Sequence, residues 1–294
     1  MNLKFFDYKQ VTAWILLILY ILAIGSIIPL LAPLLHALWP EGMPLSRCVH
    51  RGLQLAAIAL ALPYLIRNWR SVGMGWNREA LSRFGHGVAA LAPAMVLIPA
   101  IMLACGVREW AGLPQWPTVL GWAATALSVA IVEEILFRGF VQRALVERAG
   151  AIAGLALTAL FFAGVHFIRV PEQIAPAPVT LATTMEGLFA ALREITVVSN
   201  WLDRGPVLVL LGLNLGLLYQ RSNSLWTAIG AHFSIVLTLK FILKSTNPTG
   251  ISSAFSPDPA ASGLTALMLL LVLIGLWHLN PVHRPGLGGM RCST

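Results

Sequence analysis

Eight apolar runs, most of them about as long as a bilayer is thick, leave this chain one class of fold. A spanning helix needs about 20 mostly apolar residues. Residues 11–35, 52–66, 87–107, 117–137, 151–168, 206–220, 225–243 and 263–279 supply such runs, with 52–66 and 206–220 the short ones. Within hydrocarbon each backbone N–H and C=O has to be satisfied inside the segment, so such runs become helices. The expected fold is all-α, a polytopic membrane helical bundle of about eight transmembrane helices. Hydrophobic residues make up 57% of the 294 positions and charged residues 11%, a balance that excludes an ordinary soluble globule. No internal repeat is visible, so the inverted-repeat plan of many secondary transporters gains no support.

The flanking residues suit the same setting. Trp14, Trp39, Trp69, Trp110, Trp201, Trp226 and Trp277 sit at the ends of apolar runs, where interfacial anchors belong. The net charge of +8 comes from Lys and Arg scattered between the runs. It points to the anionic surface of a lipid bilayer and not to nucleic acid. Cys48, Cys105 and Cys292 are an odd set without metal spacing, so neither a disulfide framework nor a zinc cluster follows. The run 11–35 is too long for the apolar core of a signal peptide and reads as a retained anchor. If the helices alternate, Lys4, Lys9, Arg67, Arg70, Arg78, Arg83, Arg143, Arg148, Arg221, His283, Arg284 and Arg291 share one side. That bias makes both termini cytoplasmic. The few charges and the lack of an organelle signal give the chain a bacterial character, so a multi-pass protein of the inner (plasma) membrane is expected. Of the long connections on the other side, 170–205 predicts an amphipathic helix lying on the membrane or over a site. Its apolar stripe would be Met185, Leu188, Phe189, Leu192 and Ile195, opposite Glu186, Arg193 and Glu194. Residues 247–262 read as an irregular loop.

Against that apolar background, Glu133 and Glu134 stand adjacent inside the uncharged run 119–137, with Arg138 one turn on. A carboxylate at mid-membrane costs roughly 2.5–3.5 kcal/mol on insertion scales, and such residues face a bundle interior and mark functional sites. Glu134 and Arg138 are i,i+4 neighbours able to pair along one helix. Glu133 then points about 100° away, free to meet water or substrate. Two histidines also fall inside spans, His166 and His232; the other five lie near run ends or in loops and receive no role. Glu133 lies 17 residues before Gly150 and His166 lies 16 after it, so a turn at Gly150 brings both to similar depth. His232 sits seven residues into its run, about 10 Å from the preceding turn. That depth agrees better with 139–148 lying near the interface than with its extending the fourth helix.

A glutamate with two histidines supports hydrolysis in two ways. Glu133 can act as general base on a water oriented by His166, with His232 donating to the developing oxyanion. Alternatively Glu133, His166 and His232 could ligate Zn²⁺ and so activate a bound water. Without a His-Glu-x-x-His pair, the metal-free route is the first choice, with no cofactor, and zinc the alternative.

Glu133-Glu134-Ile135-Leu136-Phe137-Arg138-Gly139, then Phe162-x-x-x-His166, then His232 together resemble the CPBP intramembrane proteases. This family includes the CAAX prenyl endopeptidases and bacteriocin-processing or immunity proteins. Residues 212–226, leading to His232, also look like the family's third block. The resemblance implies a bundle enclosing a water-filled intramembrane cavity, with peptide-bond hydrolysis inside the membrane. Its catalytic residues would be Glu133, His166 and His232, supported by Glu134, Arg138 and Phe162. It divides the chain into N-terminal transmembrane helices (1–116), a catalytic core (117–243), and a loop, last helix and short cytoplasmic tail (244–294). In the prenyl endopeptidases an Asn commonly follows the last His by four residues. Here that position is Val236, which cannot donate, and Ser234 is turned away by about 200° along the helix. The expected substrate is therefore a membrane-anchored or hydrophobic peptide or protein and not a prenylated one. Two other readings stand beside the protease: a proton-coupled transporter using the Glu/His residues as a relay, and a non-catalytic membrane immunity or sorting factor.

Overall fold

The computed structural model describes residues 8–38, 42–76, 78–174, 177–251 and 256–279, with side chains from residue 23 onward. Lys4, Trp39, His283, Arg284, Arg291 and Cys292, all used above, lie outside the described residues, as do the side chains of Lys9 and Trp14. The described chain is helical almost throughout. It runs α1 (Tyr8–Ala37), α2 (Leu45–Asn68), α3 (Arg78–Ala104), β1 (Arg108–Trp110) and α4 (Trp116–Glu134). A π-helical turn (Ile135–Gln142) then leads into α5 (Arg143–Ala149) and α6 (Ala151–His166). Two shorter helices, α7 (Leu181–Arg193) and α8 (Val198–Asp203), precede α9 (Gly205–Ser222), α10 (Leu225–Ser245), β2 (Thr246–Pro248) and α11 (Gly263–Leu279). Among the described residues, four stretches are long and apolar enough to cross a membrane: Leu45–Asn68, Arg78–Ala104, Trp116–Ala149 and Leu225–Ser245. Ala151–His166 and Gly263–His278 are apolar but shorter.

Three expectations need correction. The second helix begins at Leu45, so Arg47, His50 and Arg51 lie on it and not in a loop. Residues 139–148 extend the fourth helix, because the π turn carries the chain through Arg138-Gly139 without a break. Residues 246–248 leave the irregular loop to pair antiparallel with 108–110. Buried Arg108 pins that pair by donating to the Thr246 carbonyl at 2.7 Å and the Pro257 carbonyl at 2.7 Å. The helix expected in 170–205 forms as α7, with Thr184, Gly187, Leu188 and Ala191 set against α1 and α2. Met185, Phe189 and Leu192 point outward, since small residues let helices approach in a membrane while large apolar ones face lipid.

The main core gathers Leu91, Ile98 and Met102 of α3, Phe137, Phe162 of α6, Leu215 of α9 and Ile235 of α10. The tightest crossing is α3 on α10. A Cβ on Gly87 would run into the Thr227 carbonyl oxygen, and one on Gly230 into that of Phe84. These paired glycines seat α10 against α3 two residues before His232. Gly230→Ala should therefore cost at least the 1–3 kcal/mol typical of overpacking and lower the unfolding midpoint in detergent. Gly121→Ala, with open space around the new methyl, should leave it unchanged. Equal midpoints for the two variants would show that this crossing does not hold α10.

Candidate active site

The end of α4 and the π turn place three charged side chains in two environments. Glu134 and Arg138 are completely buried, and the Arg138 Nη1 donates to Glu134 Oε1 at 3.0 Å. The expected i,i+4 pair forms. The Arg138 Nη2 also donates to the Gly212 carbonyl of α9 at 3.1 Å, and its guanidinium lies 4.9 Å from the Phe162 ring centre, within cation–π range. Glu133, pointing the other way, lines a cavity of about 290 Å³ together with His166. Its Oε2 is buried with no hydrogen-bond partner.

The chain turns at Gly150, whose φ of +84° suits glycine, and α6 returns to deliver His166 as its last residue. Glu133 Oε2 lies 3.7 Å from His166 Nε2 and 3.9 Å from His232 Nε2. The three residues singled out from sequence are thus brought together. Both separations exceed a hydrogen bond and leave room for a bridging water.

The partners of the two imidazoles assign their protons. His166 Nδ1 lies 2.7 Å from the Phe162 carbonyl, which only accepts, so Nδ1 carries a proton and, in the neutral imidazole, Nε2 offers a lone pair. His232 Nδ1 lies 2.7 Å from Glu134 Oε1. With Glu134 ionised beside Arg138, Nδ1 is again the donor. A donating His232 Nε2 therefore requires the imidazolium, whose charge Glu134 faces. Phe162 ties the group together: its ring centre is 4.4 Å from that of His166 and 6.1 Å from that of His232, edge-on to the latter.

His232 is 3% exposed, and its Nε2 faces Glu133 Oε2 at 3.9 Å. One turn on, Val236 supplies no donor, and the Ser234 hydroxyl is spent on the Ala231 carbonyl at 2.8 Å. Neither replaces the missing Asn. The two Nε2 atoms and Glu133 face one another at 3.7 and 3.9 Å, as metal ligands would with both imidazoles neutral. Yet among the described residues no group of three His, Cys, Asp or Glu side chains is disposed to hold a metal ion.

Three polar residues of the cavity wall escaped the sequence reading: His50 and Gln54 of α2, and Arg169 just past α6. Arg51 donates to Gln54 Oε1 at 2.9 Å and so orients that amide. The signal was present in the i,i+4 spacing of His50 and Gln54, masked by starting the second helix too late. The rest of the wall is apolar, with Leu53, Ala57, Leu136, Phe137, Val141 and Phe161 prominent.

Comparison with known proteins agrees with this geometry. Residues 114–238, somewhat under half of the chain, match the model of the family described as type II CAAX prenyl endopeptidase Rce1-like. The match begins at the foot of α4 and ends just past His232, so it includes all three residues around the gap. No curated protein and no solved structure matches the chain.

Proposed function

We propose that this chain, whose residues 114–238 match the Rce1-like family model, is an intramembrane endopeptidase that cleaves a hydrophobic, membrane-associated peptide with a water activated by Glu133. The observation that carries the reading is the unpartnered Glu133 oxygen facing an apolar cavity, with two imidazole Nε2 atoms at 3.7 and 3.9 Å. A water in that gap donates one proton to Glu133 and the other hydrogen to the His166 lone pair. As its oxygen attacks the scissile carbonyl, Glu133 takes the first proton. The carbonyl oxygen becomes an oxyanion, which the His232 imidazolium meets through Nε2–H. When the C–N bond breaks, the leaving amine takes the proton held by Glu133, which returns the carboxylate to its starting state. General acid–base catalysis of this kind is worth about 10²–10⁴-fold.

The apolar wall formed by Leu53, Ala57, Leu136, Phe137 and Val141 selects aliphatic or aromatic side chains next to the cleaved bond. The protein is read as a multi-pass protein of a bacterial inner membrane, with about eight helices and both termini in the cytoplasm. The test is cleavage of a panel of membrane-anchored peptides by the purified chain, with and without a strong zinc chelator. Cleavage should proceed and ignore the chelator. Loss with chelator and recovery on adding Zn²⁺ would replace the metal-free mechanism by a metalloprotease. If no peptide is cut and a Glu133→Gln chain keeps its cellular function, the immunity or sorting reading takes its place. Proton flux that depends on Glu133, without cleavage, would favour the relay.

A further inference from the structure

Arg138 is not alone in reaching across to α9. One turn later, buried Gln142 donates from Nε2 to the Gly216 carbonyl at 3.0 Å, as Arg138 does to Gly212 at 3.1 Å. Donors and acceptors are both four residues apart, so the π turn and α9 are joined by two rungs. The acceptors are glycines for a steric reason. A Cβ on Gly212 would lie 2.9 Å from the Ala159 Cα, and one on Gly216 would lie 2.5 Å from Leu155 Cδ1 and 2.8 Å from Gln142 Oε1.

We propose that Gln142 is a positioning residue for this site: its bond to Gly216 fixes the rotation of the π turn, so that Glu134 reaches His232 while Glu133 faces the cavity. The inference rests on the protease reading for its kinetic consequence but not for its geometry. A single rung at Arg138 is a pivot, and a second rung one turn away removes that freedom. The leverage is large. A side-chain tip roughly 5 Å from a helix axis moves by nearly 2 Å for a rotation of about 20°, enough to part Glu134 Oε1 from His232 Nδ1, now 2.7 Å apart. Such parting leaves the His232 imidazolium without its counter-charge. Misplacement by about 1 Å can cost as much as 10²-fold in rate.

The test replaces Gln142 by Met, of similar length but with no donor, in the full chain in lipid nanodiscs. Two signals are read: the ¹⁵N resonances of His232, identified by their loss in His232→Gln, and the kinetics of peptide cleavage. We expect the carboxylate-bonded Nδ1–H signature of His232 to disappear, and kcat to fall at least about tenfold with KM unchanged. A merely structural role would lower the folded fraction and leave the surviving molecules with native kcat and a native His232 signal, and that result overturns the proposal. If the wild type cuts no peptide, the protease reading fails, and the His232 signal alone decides the role of Gln142. Should Gln142→Met not fold, Gln142→Asn, polar but one methylene too short to span to Gly216, is read in the same way.

Discussion

Glu133→Gln should abolish cleavage while leaving the protein as stable as the wild type. The amide keeps the shape of the carboxyl but cannot take a proton from water, so the expected loss is the full 10²–10⁴-fold of a general base. Stability should survive because Glu133 Oε2 makes no hydrogen bond that the amide would lose. Its nearest basic atoms are the imidazole nitrogens at 3.7 and 3.9 Å, and it opens on the cavity. The measurement is kcat/KM on the best peptide of the panel, beside a thermal unfolding curve in the same detergent. Retention of more than about a tenth of wild-type kcat/KM would remove Glu133 from the chemistry. The neighbouring Glu134→Gln should behave differently. It leaves the Arg138 guanidinium buried without its counter-charge and withdraws the carboxylate from His232. Folded fraction and rate should therefore fall together. Adjacent glutamates are thus expected to separate chemistry from support.

How much of this was readable beforehand depends on which physical term governs each element. Counting residues from Gly150 put Glu133 and His166 at one depth because the continuous helix from α4 through the π turn to α5 is joined to the returning α6 by that single glycine. Counting failed for His232, whose shallow place in α10 argued for ending the fourth helix near residue 138. Pairing of Arg138 and Gln142 with α9 carbonyls holds a π turn there instead, and no local pattern announces bonds to residues 74 positions away. The start of α2 was missed because Arg47, His50 and Arg51 depress its hydropathy, although long basic side chains at a helix end can reach the interface. His50 was lost from the cavity with it. The short β1–β2 pair joins loops far apart in sequence, where three-residue strands carry no periodic signal.

Arg138→Met should be the most damaging change to stability. Arg138 is wholly buried, pairs with Glu134 at 3.0 Å and donates to the Gly212 carbonyl. Removing one partner of a buried ion pair typically costs 3–5 kcal/mol, because the other charge is left uncompensated. That is a large part of the 5–15 kcal/mol available to a domain. Two further variants divide the effect into charge and geometry. In Glu134→Gln/Arg138→Met no charge is stranded, so most of the lost stability should return, a non-additivity expected for residues in contact. Activity should stay low, because His232 then lacks the carboxylate at 2.7 Å. Arg138→Lys keeps the charge but presents a single ammonium where the planar fork serves Glu134 and Gly212 together, and should fall between the two. Unfolding midpoints in detergent, read beside cleavage rates, would order the variants. A double mutant no more stable than Arg138→Met alone would mean that the guanidinium contributes by filling space against Phe162, and that the pair is not what holds the end of α4 in place.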